Sequence, residues 1–139
     1  MKGEVSTFGS SVFSAYKSTG SPREFSGKIT YDTVTIGEDL LDKSTGVFTV
    51  KVAGVYFFTY SGEAYKTNSG FVRVYLNDAQ NLLIYENEPH DVKHQSNIAF
   101  VWTLILQVGD KVYLKCDGAQ CIADTDQRIY FNGWLLNTV

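Results

Sequence analysis

Proline, cysteine and histidine are all scarce in this 139-residue chain, with two of each. Each shortage removes a possibility. Two cysteines cannot furnish a four-ligand zinc site, and no nearby residues complete one in the usual spacing. The prolines, Pro22 and Pro89, fall between strand-like runs, and no Gly-x-y repeat occurs. No apolar run approaches the roughly 20 residues that span a bilayer, so membrane insertion is not expected. The first ten residues, MKGEVSTFGS, lack the hydrophobic middle of a signal peptide. Neither sign of charge dominates. Twelve Lys and Arg against 15 Asp and Glu give a net charge of -3, and the cations are scattered along the sequence. A nucleic-acid or anionic-membrane partner is therefore not expected. There is no Gly-x-Ser-x-Gly elbow and no Gly-x-x-x-x-Gly-Lys loop, and no pair of carboxylates stands out, so no enzyme is expected.

What is plentiful is aromatic and β-branched. Hydrophobic residues reach 44% and aromatics 14%, against 19% charged, which fits one domain able to bury its own core. No helix-period pattern of any length appears. Short runs rich in Val, Ile, Phe and Tyr predict strands at 11–16, 27–32, 46–52, 54–65, 70–77, 82–87, 97–108, 110–116 and 128–136. Between them KSTG, NDAQN, VGD and CDGAQ carry the Gly, Asn, Asp and Ser of tight turns. Residues 1–10 read as a tail and 11–139 as a single antiparallel all-β sandwich.

Two of these strands are apolar on both faces. Alternate residues point to opposite sides, so Ile98, Phe100, Trp102, Leu104 and Leu106 share one face and Ala99, Val101, Thr103 and Ile105 the other. Residues 54–65 behave alike, with Val55 and Phe57 on one side and Tyr56, Phe58 and Tyr60 on the other. One side of such a strand packs on the opposing sheet. The second needs a cover, and a contiguous patch across two strands points to another subunit.

Several motifs, in order along the chain, resemble the C1q globular-head family. VFSAY (12–16), ITYDTV (29–34), Leu41 seven positions before Phe48, Phe48 five residues ahead of Gly54-x-Tyr56-x-Phe58-x-Tyr60, VGDKVYL (108–114) and the closing FNGWLL (131–136) all match its pattern. The family usually has Phe where this chain has Tyr31, and Asn or Asp where it has Ile36. The resemblance implies a ten-strand jelly roll similar to tumour necrosis factor, assembled as a homotrimer. It would place Tyr56, Phe58, Tyr60, Trp102 and Leu104 in the core and partly at the trimer axis.

Candidate ligand groups lie in loops. His90 and His94, with Asp91 or Glu88, share one loop and could hold a metal or stay solvated. Some relatives hold calcium at the start of the long strand, where DVKHQSN here carries Lys93 or His94 in place of the usual Asp. Asp124 and Asp126 in ADTDQR offer oxygens at alternate positions, a second place for calcium, next to Arg128. Tyr85 and Asn87 near strand ends suit sugar stacking and hydrogen bonding. Cys116 and Cys121 form either a local disulfide or two separate thiols. The expected function is a secreted, extracellular recognition module that pairs with itself as a trimer and binds glycans or microbial surface polymers as a pattern-recognition lectin of innate immunity. The alternative is a cytokine-like or synaptic-organiser-like ligand for a cell-surface receptor.

Overall fold

A computed structural model of the chain describes residues 11–20, 24–66, 70–86 and 94–139. These residues contain no helix, so none long and apolar enough to cross a membrane. They carry eleven strand segments in two packed layers. The first layer runs β3 (Thr33–Ile36), β1 (Val12–Lys17), β11 (Ile129–Thr138), β6 (Gly54–Lys66) and β9 (His94–Leu106). The second centres on β10 (Lys111–Ile122). On one side of β10 lie β2 (Glu24–Lys28) and β5 (Val47–Thr49), with the two-residue β4 (Leu41–Asp42) beyond β5. On its other side lie β7 (Gly70–Leu76) and then β8 (Ala79–Glu86). Every pairing is antiparallel.

Local chemistry explains the joints. β7 and β8 are joined by Asn77 and Asp78 alone, and both adopt positive φ (51° and 67°). That is the conformation a two-residue hairpin of matching twist requires, and Asn and Asp tolerate it. The Asn77 side chain then ties the turn to the start of β10: its Nδ2 donates to Asp110 Oδ1 at 2.9 Å, and its Oδ1 accepts from the Lys111 N–H at 2.8 Å. The run predicted at 27–32 is placed differently. Gly27 at φ 93° and a register shift opposite β10 end β2 at Lys28. Ile29 and Tyr31 then donate their backbone N–H groups to Leu114 and Lys43 outside any ladder.

β10 serves both layers. Residues 112–117 pair with β7, but Gln120, Cys121 and Ile122 pair with β6 of the other layer. Cys116 and Cys121 lie on either side of that change of partner and form a disulfide, both buried. The core between the layers is mainly aromatic: Phe13, Phe48, Tyr56, Phe58, Trp102 and Phe131 pack with ring centroids 4.8 to 6.3 Å apart. Stacked and edge-on pairs of this kind contribute about 0.5–1.5 kcal/mol each beyond their burial.

Candidate functional site

The two faces of the long strands have separate fates. Tyr56, Phe58 and Tyr60 are at most 2% exposed and Trp102 is 8% exposed, all inside the single chain, while Leu104 is half-buried. The expectation that these side chains lie partly at a subunit axis is therefore corrected for Tyr56, Phe58 and Tyr60, which the single chain already encloses, while Trp102 and Leu104 keep some open surface. A ring already enclosed by Phe48, Phe131 and the opposing layer has no surface left for a neighbour.

The opposite parity is the open one. On the outer side of the first layer, β1, β11, β6 and β9 line up Val12, Trp134, Phe57 and Thr103 in one row. The next row is Ser14, Asn132, Thr59 and Val101, and the next is Tyr16, Tyr130, Ser61 and Ala99. Below the first row Val55 pairs with Ile105, and Leu136, at a register shift in β11, points outward by the same alternation. Val101, Ile105 and Leu136 are 58%, 69% and 52% exposed. Phe57 and Trp134 meet with ring centroids 4.8 Å apart. This surface grades from apolar at the Ile105 end to polar at the Glu63 and Asn97 end. Sequence parity had pointed to a second apolar face, and FNGWLL alternates accordingly. Which parity faced the core was not in the pattern.

At the polar end lies an open cleft of about 470 Å³, walled by Ser61, Glu63, Asn97, Asp126, Arg128 and Tyr130 among others. It unites two predicted residues, Asp126 and Arg128, with Glu63 and Asn97, which sequence reasoning missed. A lone Glu inside SGEAY was the only hint. The Arg128 guanidinium sits 4.6 Å from the Tyr16 ring, which itself packs on Tyr130. Such a contact orients the charge. Asp124 instead folds the loop, because its Oδ1 accepts the N–H groups of Asp126 and Gln127 at 2.9 and 2.7 Å. The described residues hold no cluster of three or more His, Cys, Asp or Glu placed for a metal. Tyr85 lies on β8 opposite Phe71, and His94 opens β9 opposite Lys66; their side chains are outside the described ones. Asn87, Glu88, His90 and Asp91 lie outside the described residues altogether.

A second cleft of about 460 Å³ opens at the sandwich edge between β3 and the β4–β5 pair. Its rim includes Asp32, whose carboxylate accepts from the N–H and hydroxyl groups of Ser18 and Thr19 and from the Thr33 hydroxyl. Partial burial pushes this carboxyl up, and the hydrogen bonds outweigh it, so its pKa lies below the ordinary value.

A family model of the C1q domain matches residues 12–136. The chain belongs to the C1q domain family. Two human proteins named complement C1q and tumor necrosis factor-related proteins 9A and 9B are 31% and 29% identical to it over 135 and 134 residues, 94% of the chain. The chain spans 38% of the length of these relatives. Among solved structures, the globular domain of the zebrafish complement 1qA protein superimposes with a TM-score of 0.71 at 21% identity, covering 93% of this chain and 99% of that one. The tumour necrosis factor Eiger of S. frugiperda gives 0.68 at 11% identity, with 93% and 95% covered. The jelly-roll sandwich of this C1q domain is thus shared with both groups.

Proposed function

We propose that this C1q domain is a secreted, non-enzymatic recognition module that works as a homotrimer and binds extracellular glycans or microbial surface polymers. The observation that carries the reading is the exposed apolar face of β11, β6 and β9, formed by Val55, Phe57, Val101, Ile105, Trp134 and Leu136. Burying a Val or Ile side chain is worth about 1.5–3 kcal/mol, so leaving Val101 and Ile105 in water is costly unless a neighbour covers them. Three copies about one axis supply that cover.

The ligand in this reading occupies the cleft at the polar end of the same face. Glu63, Asn97, Asp126 and Arg128 offer hydrogen-bond donors and acceptors, and Tyr130 offers a ring, the combination a pyranose needs. One shallow site of this kind binds at about millimolar strength, near -4 kcal/mol. Three joined sites gain avidity. Polar clefts favour the lectin over the receptor-ligand alternative, which needs a larger apolar contact beyond the assembly face. The test is a glycan array on protein whose mass in solution has been measured, run with and without chelator so that calcium dependence is read together with specificity. The lectin assignment fails if the trimer is retained by no glycan surface.

A further inference from the structure

The outer side of the second layer has the opposite character to the assembly face. Register places Lys28 of β2, Lys115 of β10 and Arg73 of β7 directly abreast across three neighbouring strands. They come from positions far apart in the sequence. Adjacent strands lie about 4.8 Å apart, so three cations are spread over roughly 10 Å on one flat surface. Like charges directly opposite one another destabilise a sheet.

The next row holds them in place. Tyr113 and Tyr75 stand abreast and stack in parallel, with centroids 5.0 Å apart and an interplanar angle of 1°. The Lys28 ammonium lies 4.4 Å from the centre of the Tyr113 ring, and that of Lys115 lies 5.9 Å from the centre of Tyr75. Asp117 pairs with Arg73 at 3.1 Å and so balances that member of the row, while Asp78 accepts the Tyr113 hydroxyl at 3.2 Å, which leaves the two lysines to carry the charge of the row. Among the described residues neither Lys28 nor Lys115 makes an ion pair. Their ammonium groups rest on π faces, which orient a cation without neutralising it.

We propose that this row is a binding surface for a polyanionic, sulfated polysaccharide. Regularly repeated anions on an extended polymer match cations repeated at the strand spacing. A membrane meets the whole chain, whose net charge of -3 repels it, whereas a thin polymer meets only the row. A nucleic-acid base needs a free ring face to stack on. Here each ring gives one face to the other tyrosine, and Lys28 lies over Tyr113. The surface is separate from both the apolar face and the cleft, so it stands whether or not the cleft binds sugar.

The experiment measures binding of dextran sulfate to the chain at about 50 and about 200 mM salt, with neutral dextran and single-stranded DNA of equal charge as comparisons. Lys28→Glu/Lys115→Glu is compared with Lys43→Glu/Lys51→Glu, which changes net charge equally away from this face. Thermal melts establish that both pairs fold. Expected are a steep loss of affinity with salt, a loss of about tenfold or more in the first pair, and less than about twofold in the second. Equal affinity of the first pair and the parent overturns the proposal, as does an equal loss in both pairs. Neutral dextran binding that the first pair loses and the second keeps overturns it too, as does DNA binding as well as dextran sulfate. Cleft-borne recognition of neutral glycans is read separately, since the lysine pairs leave Glu63, Asn97, Asp126 and Arg128 in place.

Discussion

Trp134 of β11 packs at a tilt against Phe57 of β6, with ring centroids 4.8 Å apart, on the side of the sheet that the core does not use. Two adjacent aromatics and the neighbouring Ile105 therefore form the centre of the proposed contact. Trp134→Glu/Ile105→Glu should convert a species near three times the 15.5 kDa chain into monomer while keeping strand content, read by sedimentation and far-ultraviolet dichroism. Phe58→Ala should behave differently. It empties a fully buried site and should cost about 3–5 kcal/mol, so unfolding precedes any effect on assembly.

Tyr31 stands where its family usually has Phe, and its hydroxyl is buried without a hydrogen-bond partner. Burial, with Tyr60 nearby, raises its pKa well above the ordinary value. Tyr31→Phe removes an unsatisfied polar atom and keeps the ring that lies 5.9 Å from Phe131. Stability to urea should rise by about 1 kcal/mol. A fall of that size would mean that the hydroxyl has a partner.

The ends of the pH scale should act through different groups. Asp32 has a lowered folded pKa, so its contribution is complete above the unfolded value and is lost as pH falls below about 4. Tyr31 and Tyr60 have raised folded pKa values, so their contribution is present at neutral pH and declines once pH passes about 10, where the unfolded phenols ionise. Asp32→Asn should flatten the acid limb of a melting-temperature profile and leave the alkaline limb unchanged.

The disulfide joins residues five apart. So short a loop restricts the unfolded chain little, and reduction should cost about 2 kcal/mol. Denatured, unreduced protein should weigh about two daltons less than the reduced form. Reduction should loosen the point where β10 changes layers, and hydrogen exchange at Ile122 should rise before that at Leu114.

Gly133 sits where a side chain would meet Phe13 Cε2 at 2.5 Å and Phe58 Cδ1 at 2.8 Å. These rings are packed on every side. Gly133→Ala should lower stability by about 1–3 kcal/mol through overpacking, measured by denaturant titration.

Strand chemistry made much of this fold legible in advance. Alternation in 97–108, the Asn77-Asp78 turn and the aromatic run at 56–60 each state a local preference that the final packing respects, because side-chain parity and turn dihedrals are set within a few residues. Parity could divide Phe57 from Phe58 but not say which met the core, since that depends on where the second layer lies. Likewise the strand predicted at 27–32 ended early, because Gly27 and the partner β10 decide its ladder together. Charge was least legible of all. Lys28, Arg73 and Lys115 look scattered along the chain, and only the register of three strands brings them abreast. A sequence records which residues are near neighbours along the backbone. Long-range pairing, which sets faces, clefts and charge rows, is a property of the folded sheets alone.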